Sequence, residues 1–386
     1  MFHIAKEDEI KKGKTTDIYF QHTREILKKK GIKKRVKAEF IVKRFPENWS
    51  WGVLAGIEEC VQLLKNLNVT VHAMREGTIF ATNEPVMVIE GEYTEFGVYE
   101  TPILGLICQA SGIATRAARC RKAAGDKTLL SFGARRIHPV ISPMVERNAY
   151  IGGCDGVSCV KGAELLGIKP MGTMPHALIL IIGNSADASR SFHEIIDSEV
   201  KRIVLVDTLE DEKFESLKAA EALGKNLYGV RLDTPFSRRG NFLELLKEVR
   251  WELNLRGYNW VKIFVSGGIN EKKILELNEV VDGYGVGTAI SGAPILDFAM
   301  DIVEIEGQPT AKRGKMSGSK SVLRCSNCYK KVIIPQREEP PKSCECGGNF
   351  ENLLKPLIVE GKLARKLEGP QEIRQYVLEQ LKFYDL

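Results

Sequence analysis

The chain has 386 residues, of which 44% are hydrophobic and 27% are charged, and its formal net charge is +6. A chain of this length can bury a large core, and we expect two or three domains. The small basic excess is spread over a large surface and does not indicate a nucleic-acid partner. No apolar stretch approaches the length of a membrane span, so we expect no membrane partner.

Cysteine usage predicts the cellular compartment. The nine cysteines are an odd number, and the charged N-terminus lacks the apolar core of a signal peptide. Both features favour reduced thiols and a cytoplasmic protein. Five scattered cysteines are expected to pack as small apolar residues, namely Cys60, Cys108, Cys120, Cys154 and Cys159.

The N-terminal third combines helical and antiparallel-strand patterns. Near its start, the segment Thr16–Phe20 contains an Asp-x-Tyr motif, which fits a helix cap followed by a packed aromatic residue. Alternating apolar residues over Val69–Tyr93, broken by glycine and proline, predict short antiparallel strands. A long helix is predicted from about Pro102 to Ala124, and its segment Ser111–Thr115 has small residues that allow close packing.

Beyond Gly125 the pattern changes to repeated strand–helix units. Such units predict parallel strands that close, or nearly close, into an α/β barrel. Six strands are predicted where a complete barrel has eight, so we expect an incomplete barrel. The predicted strands are Leu129–Ser131, Pro170–Thr173, Ile203–Val206, Tyr228–Leu232, Val261–Val265 and Gly283–Val286. The predicted helices between them include Val157–Leu166, Glu212–Leu223 and Leu243–Leu255.

Two glycine turns follow the last two predicted strands, at Ser266–Gly268 and at Gly283–Thr288. Adjacent strand ends of this kind present backbone N–H groups that can bind an anion, above all a phosphate. In α/β barrels a phosphate often lies on the loops after the last two strands. The sequence therefore predicts a phosphate site here. Asn270 is a good cap for the helix after the first turn, and the predicted apolar face of that helix comprises Ile274, Leu275 and Leu277.

Polar and aromatic residues cluster where the predicted strands end. In a parallel barrel these positions share one rim, where such folds place their chemistry. We expect a functional site there, although a single strand-end Asp is often only a helix cap. The residues are Phe132, Arg135, Arg136, Met174, His176, Asp207, Thr208, Arg231 and Asp233.

The predicted rim suits a polyanionic substrate carried with Mg²⁺. Phosphoribosyl diphosphate would use each part. Its 5′-phosphate would bind the glycine turns, and Arg residues with Mg²⁺ near Asp207 and Asp233 would neutralise its pyrophosphate. The sequence contains neither a Walker A loop nor a dinucleotide-binding fingerprint. It also lacks a zinc-protease motif and a nucleophile elbow.

The other four cysteines form a module near the C-terminus, after a Lys/Gly/Ser-rich segment. Two pairs of thiols, separated by a β-prone segment at Val332–Ile334, predict a tetrahedral zinc ribbon with a structural ion. All four ligands come from the protein, which leaves no open position for a catalytic water. The predicted ligands are Cys325, Cys328, Cys344 and Cys346, and an amphipathic helix is predicted beyond them, over Pro370–Leu386.

Taken together, these residues resemble the nicotinate phosphoribosyltransferases over nearly the full chain. The segment SGIAT alone is shared with quinolinate phosphoribosyltransferases, but the ordered set is specific. The cysteine module looks like the metal-binding C-terminal portion of archaeal members. The matching segments are TDIYF at 16–20, SGIAT at 111–115, FGARR at 132–136, GGCDGVS at 152–158, GTMPHA at 172–177, VDT at 206–208, VRLDT at 230–234, SGG at 266–268 and GVGT at 285–288.

The resemblance implies a type II phosphoribosyltransferase of the α/β class. It implies an N-terminal α/β sandwich domain (1–105, completed by C-terminal residues), an incomplete α/β barrel (106–306) and a zinc-ribbon-like segment with a terminal helix (307–386). It also implies a homodimer, able to assemble further, in which the partner chain completes each active site. The implied activity joins nicotinate and phosphoribosyl diphosphate into nicotinate mononucleotide and pyrophosphate, in NAD salvage, with ATP hydrolysis coupled to synthesis.

The resemblance also implies roles for individual residues. Phe132, and Tyr19 of the other subunit, would sandwich the pyridine ring. Arg135 and Arg231 would contact substrate anions, and Asp207 and Asp233 would support the ribose, Mg²⁺ or pyrophosphate. The 5′-phosphate would be held by Ser266, Gly267, Gly268, Gly287 and Thr288.

Two further positions bear on ATP and on the acceptor. His176 matches the histidine that ATP phosphorylates in this family, so His176→Ala is expected to abolish ATP coupling. Nicotinamide-using relatives carry an Asp where this chain has Ser158. An Asp there would repel a carboxylate, so Ser158 favours the acid as substrate.

Two alternatives stay open from the sequence. A quinolinate phosphoribosyltransferase would share the fold but would need more cationic groups to bind a dicarboxylate. A zinc-ribbon enzyme that binds RNA and exchanges its bases would show affinity for RNA that falls steeply with salt. The ribbon lacks the dense arginine and aromatic interleaving expected of such a surface, so we expect no nucleic-acid partner.

Overall fold

A curled six-stranded parallel sheet forms the framework of residues 116–293. The computed structural model describes residues 2–386. Two compact units make up the described chain. One contains the residues up to Thr115 together with Pro294–Leu386, and the other contains Arg116–Ala293. None of the helices formed by residues 2–386 has the length and apolar character needed to cross a membrane.

The strands are numbered in chain order. They are β1 (Arg35–Val42), β2 (Gly52–Val53), β3 (Val69–Ala73), β4 (Ile79–Phe80), β5 (Met87–Glu92), β6 (Thr128–Ser131), β7 (Gly156–Val157), β8 (Ile203–Leu205), β9 (Gly229–Leu232), β10 (Lys262–Val265), β11 (Gly283–Val286), β12 (Phe298–Ile305), β13 (Gln308–Pro309), β14 (Lys320–Cys325), β15 (Lys331–Pro335), β16 (Phe350–Asn352), β17 (Lys355–Val359) and β18 (Lys362–Leu363).

The α-helices are numbered in the same way. They are α1 (Glu7–Lys11), α2 (Ile18–Lys29), α3 (Ile57–Leu64), α4 (Tyr93–Phe96), α5 (Glu100–Ala124), α6 (Ser142–Ile151), α7 (Val160–Leu166), α8 (His176–Ile182), α9 (Ser185–Ile195), α10 (Glu212–Leu223), α11 (Phe236–Arg239), α12 (Phe242–Leu255), α13 (Glu271–Leu277), α14 (Thr288–Ser291) and α15 (Pro370–Gln380). Short 3₁₀ segments lie at Pro46–Asn48, Gly97–Tyr99, Ala134–Arg136, Pro139–Ile141, Gly224–Asn226 and Leu381–Phe383.

The unit that contains both chain ends is an α/β sandwich. Its main sheet has the strand order β13-β12-β1-β5-β3-β17-β18, and the neighbouring strands pair antiparallel. Apolar side chains of this sheet, such as Phe40 and Ile89, pack into one buried core with Ile57 of α3 and Ile107 of α5. A separate three-stranded sheet, β15-β14-β16, carries the cysteine module.

The other unit contains the parallel sheet, in the order β7-β6-β11-β10-β9-β8. Every neighbouring pair in it is parallel. Its strands read as short apolar runs because both faces are covered, and Ile263, Val265 and Val286 have no exposed surface. The sheet ends at β7 and β8 without closing. The predicted fold class, an incomplete α/β barrel with an α/β sandwich, is confirmed.

Two local predictions were wrong. Residues Pro170–Thr173 do not form a strand, and the short strand β7 pairs with β6 at the edge of the sheet instead. Pro170 has no N–H to donate to a ladder, and only Met171 bonds back, from its N–H to the Val157 carbonyl at 2.8 Å. The side chain of Leu275 is 56% exposed, because one residue after Ile274 lies about 100° around the helix from the buried stripe.

One glycine in α5 is required by close packing. A Cβ atom added at Gly112 would lie 2.2 Å from the backbone carbonyl oxygen of Pro294, which cannot move aside without shifting the chain. Gly105 lies on the same helix, and a Cβ added there would meet no atom within 4 Å. The two positions therefore form a matched pair.

We expect Gly112→Ala to lower the free energy of unfolding by about 1–3 kcal/mol, because it overpacks a buried helix contact. Gly105→Ala should instead raise it by up to about 1 kcal/mol, because alanine favours the helix over glycine. Urea unfolding followed by circular dichroism measures both variants. Equal effects of the two substitutions would show that the Gly112 contact does not constrain the fold.

Candidate active site

Residues from neighbouring parallel strands meet at the carboxyl edge of the sheet. Phe132 follows β6, Asp233 follows β9, Ser266 follows β10 and Gly287 follows β11. Because β6, β11, β10 and β9 are successive neighbours, their carboxyl ends lie side by side. The strand order thus brings residues more than 150 positions apart in sequence to one edge.

Two clefts lie at this edge and share Phe132, Arg135 and Asp233. The first, the His176 cleft, is also lined by Ser158, Thr173, Met174, His176 and Arg231. The second, the glycine-turn cleft, is also lined by Arg136, Gly267, Gly268, Gly287 and Thr288. The structure therefore gathers most of the residues singled out from the sequence. Their individual roles stay predictions.

His176 and Asp207 form a hydrogen-bonded pair. The imidazole Nε2 lies 3.2 Å from Asp207 Oδ2; the Asp207 side chain is 1% exposed and that of His176 is 37% exposed. Burial raises the pKa of Asp207, and the hydrogen bond from His176 opposes this shift. The second oxygen, Oδ1, is buried without a hydrogen-bond partner. This buried carboxylate fixes the imidazole and has an oxygen available for another donor.

Arg231 places a fixed positive charge in the His176 cleft. Its guanidinium donates to Thr173 Oγ1, and its carbon Cζ lies 5.7 Å from the centre of the Phe132 ring. Burial lowers the pKa of Arg231, and the nearby carboxylates of Asp233 and Asp207 oppose that shift. An arginine stays protonated at neutral pH in any case. The cleft therefore combines an aromatic face with a permanent cation, which suits a planar anion.

The first glycine turn is held in a left-handed conformation, with φ of +77° at Gly267 and +65° at Gly268. A Cβ at Gly267 would lie 2.8 Å from Asp233 Oδ1, so the close approach of Asp233 also excludes a side chain. The Ser266 hydroxyl donates to the same oxygen at 2.7 Å. Asp233 is therefore anchored directly beside the turn.

Arg239 supports this turn through its carbonyl oxygens, a contact that the sequence did not predict. Its guanidinium donates to the carbonyl oxygens of Ser266 at 3.1 Å and Gly267 at 2.8 Å. The only sequence signal is the Ser-Arg-Arg-Gly run shortly after Asp233, which looks like an exposed loop. Since the carbonyls point toward Arg239, the turn is ordered without using its own N–H groups.

The N–H groups of both glycine turns are available to an anion. Within the described part of the chain, no carbonyl or side chain accepts a hydrogen bond from the N–H of Gly267, Gly268, Gly287 or Thr288. These two turns follow β10 and β11, which are direct neighbours in the sheet. Several free amides at adjacent strand ends form the kind of nest that binds a phosphate.

Ser158 has a buried partner that the sequence did not predict either. Its hydroxyl lies 3.5 Å from Oε1 of Glu146, a residue of α6 with no exposed surface. Burial raises the pKa of Glu146 to about 7. In the sequence, a single Glu in a helical segment looks like a surface residue. Nothing local indicates that it lies behind the cleft.

Tyr19 belongs to the other compact unit, where it lies on α2. The residue is 57% exposed, and its hydroxyl donates to Asp17 Oδ2 at 3.1 Å. Its ring is therefore available on the surface. The sandwich of a pyridine between Tyr19 and Phe132 of different subunits stays a prediction.

The four cysteines of the C-terminal module converge. Their Sγ atoms all lie within 4.8 Å of one another, and the pairs Cys325–Cys346 and Cys328–Cys344 are 3.5 Å and 3.7 Å apart. A tetrahedral ion with metal–sulfur bonds of about 2.3 Å requires sulfur–sulfur distances of about 3.8 Å. The arrangement thus has the size of a four-thiolate metal site.

Two family models match the chain in consecutive segments. The model described as the N-terminal domain of quinolinate phosphoribosyl transferase matches residues 17–111, and the model of its C-terminal domain matches residues 113–301. Among solved structures, the nicotinate-nucleotide pyrophosphorylase from Pyrococcus furiosus is 55% identical. It has a TM-score of 0.98, with 100% of this chain and 99% of that chain covered.

More distant relatives are also similar. A nicotinate phosphoribosyltransferase of Bacillus subtilis is 28% identical over 363 residues, which cover 84% of this chain and 71% of the relative. One from Mycobacterium tuberculosis is 30% identical over 318 residues, covering 77% of this chain and 64% of the relative. The structure of human nicotinic acid phosphoribosyltransferase shows the same fold, with a TM-score of 0.75. It is 20% identical, and the match covers 95% of this chain and 93% of that chain.

These comparisons correct the predicted function. The sequence motifs predicted a nicotinate phosphoribosyltransferase, but both family models describe quinolinate phosphoribosyl transferase. The 55% identical structure is far more similar than the nicotinate phosphoribosyltransferases, which share 20–30% identity. The assignment to nicotinate was therefore wrong, and the alternative is favoured. The chain belongs to the type II phosphoribosyltransferases and is an enzyme that transfers a pentosyl group.

Proposed function

We propose that the protein is a quinolinate phosphoribosyltransferase, which forms nicotinate mononucleotide, pyrophosphate and CO₂ from quinolinate and phosphoribosyl diphosphate. The observation that carries this proposal is the match of both quinolinate phosphoribosyl transferase models, over residues 17–111 and 113–301, and the two guanidinium groups of Arg135 and Arg231 that line the His176 cleft are compatible with it. Quinolinate is a planar pyridine with two carboxylates, so it needs two cationic partners and a stacking surface. Arg135 and Arg231 supply the charges and Phe132 supplies the ring.

The neighbouring cleft accommodates the sugar phosphate in this proposal. The free N–H groups of the turns that contain Ser266, Gly267, Gly268, Gly287 and Thr288 bind the 5′-phosphate. Asp233, shared by both clefts, then lies beside the ribose. Asp207 and Asp233 offer the oxygen ligands that Mg²⁺ prefers, and the ion would neutralise the pyrophosphate.

The proposed reaction proceeds in two stages. The pyridine nitrogen forms a bond to ribose C1 as the bond from C1 to the pyrophosphate oxygen breaks. The bond between C2 of the ring and its carboxylate then breaks and releases CO₂; the positively charged ring nitrogen stabilises the electron pair left on C2 until a proton adds there. The side chains contribute orientation and charge neutralisation.

Loss of CO₂ drives this reaction forward, so it requires no ATP. In the proposal, His176 is held through Nε2 by Asp207 and lines the cleft beside the anionic substrates. We also propose a homodimer, in which Tyr19 of the partner subunit completes the pyridine site. Large exposed apolar side chains support a protein interface, among them Ile181 and Phe236, which are 84% and 92% exposed.

The proposal predicts that purified protein with Mg²⁺ and phosphoribosyl diphosphate converts quinolinate labelled in its 2-carboxylate into nicotinate mononucleotide and labelled CO₂ in equal amounts. ATP should have no effect on the rate. Arg135→Ala should lower kcat/KM for quinolinate by about 10–100-fold, because a charge-assisted hydrogen bond contributes about 1.5–3 kcal/mol.

The control variant is Arg190→Ala, whose exposed guanidinium pairs with Asp187 on α9, and it should retain full activity. Nicotinate and nicotinamide are assayed in parallel. A mononucleotide formed from nicotinate, with no product from quinolinate, would refute the proposal, as would a strict need for ATP.

We further propose that the cysteine module binds one structural zinc ion through Cys325, Cys328, Cys344 and Cys346. Two of the ligands, Cys325 and Cys344, are buried, and the other two are exposed. Cys325 ends β14, and the antiparallel pairing of β14 with β15 positions the first pair of thiols. With four protein ligands the ion would stabilise this loop-rich segment and would not take part in the reaction.

Purified protein is therefore expected to contain about one zinc per chain, measured by mass spectrometry of the metal. Cys344→Ser should reduce this content at least severalfold and lower the temperature of unfolding, because metal binding and folding of such segments are coupled. Cys159→Ser, at a cysteine outside the module, should keep the full metal content. Equal zinc content in both variants, or none in the wild type, would contradict the assignment.

A further inference from the structure

Glu146 is a buried carboxyl group directly behind the His176 cleft. It lies on α6, has no exposed surface, and packs so tightly against α7 that a Cβ at Gly162 would lie 2.8 Å from its own Cβ. One oxygen accepts from the Ser158 hydroxyl at 3.5 Å. The buried hydroxyl of Ser131 and the backbone of Ser158 and Cys159 also lie against the carboxyl group, and none of these contacts supplies a positive charge. An ionised carboxylate in such surroundings is costly.

The surroundings of Glu146 do not compensate a negative charge. Among the described residues, no Lys, Arg or His forms an ion pair with it. Burial is the main cause of its raised pKa of about 7, and contacts with Ser131, Cys159 and Ser158 oppose the shift only in part. The elements packed against α6, the residues that flank them, and α6 itself carry these charged or titratable groups: Arg135, Arg136, His138, Arg147, Tyr150, Cys154, Asp155, Cys159, Lys161 and Glu164.

Ser158 connects this carboxyl group to the substrate. It lines the same cleft as Arg135, His176 and Arg231, while its hydroxyl is held by Glu146. A protonated Glu146 holds Ser158 without adding charge to the cleft. An ionised Glu146 adds a negative charge directly behind Ser158, which lines the surface on which a pyridine acid would lie. The low-dielectric interior screens this charge poorly.

We propose that Glu146 is a positioning residue that lets the cleft bind anionic pyridine acids without repulsion, by presenting an uncharged carboxyl group behind Ser158. This inference rests on the proposed function only in requiring that the cleft accept a pyridine acid. As pH rises and Glu146 loses its proton, the affinity for a pyridine acid falls. The loss is larger for a dianion than for a monoanion and is absent for a neutral ligand.

Isothermal titration calorimetry with quinolinate, nicotinate and nicotinamide tests this, without phosphoribosyl diphosphate so that no turnover occurs. Between pH 6 and pH 8.5, the Kd of the wild type should rise about tenfold for quinolinate and about threefold for nicotinate, and should stay constant for nicotinamide. Glu146→Gln, which is neutral at every pH, should show a nearly constant Kd for all three. His176 is present in both proteins, so the difference between them isolates Glu146.

Two further variants separate charge from structure. Glu146→Ala removes the partner of Ser158 and should weaken binding of all three ligands at every pH. Glu164→Gln, on the exposed side of α7, should behave as the wild type. If Glu146→Gln does not fold, as judged by circular dichroism, the three ligands still decide the question in the wild type.

The inference is overturned if the pH dependence is the same for quinolinate, nicotinate and nicotinamide. It is also overturned if Glu146→Gln keeps the wild-type dependence, or if neither acid binds. Binding of nicotinate with the expected pH dependence, together with no binding of quinolinate, would refute the proposed function and support the role of Glu146.

Discussion

The site depends on two neighbouring parallel strands, β10 and β11, that both end in glycine turns. Adjacent parallel strands place their carboxyl ends side by side, and the glycines let the backbone turn with its N–H groups free. Asp233 holds the first turn by accepting a hydrogen bond from the Ser266 hydroxyl and by packing closely against Gly267. Arg239 donates to the carbonyl oxygens of Ser266 and Gly267. The anion site is therefore ordered before any ligand arrives, which reduces the cost of binding.

Around these glycine turns, the fold places charged side chains in buried positions, where the low dielectric strengthens their electrostatic interactions. Arg231 is desolvated beside Phe132, and Asp207 is nearly fully buried while it holds the exposed edge of His176. In a low-dielectric setting such groups act strongly on an anionic substrate. They also carry unpartnered atoms, Arg231 Nε and Asp207 Oδ1, which is a destabilising arrangement for an isolated protein and a useful one for a binding site.

The sequence predicted the parts of the fold whose signal is local. Apolar runs that end in glycine or a polar residue located β6 and β8–β11, and the spacing of thiols located the cysteine cluster. Contacts between residues that are distant in the sequence left no such signal. An example is the contact between Arg239 and the carbonyl oxygens of the first glycine turn. The pyridine substrate was predicted wrongly because Ser158 and isolated motifs carry little information on how many substrate charges a cleft can neutralise. The comparison over the whole chain carries more information on the substrate.

The most direct measurement is a crystal structure of the protein with nicotinate mononucleotide, the product common to both pyridine acids. We expect the 5′-phosphate to lie about 3 Å from N–H groups of Gly267 or Gly268 and of Gly287 or Thr288, with the pyridine ring against Phe132. A phosphate bound elsewhere, with both glycine turns empty, would contradict the assignment of this edge of the sheet as the active site.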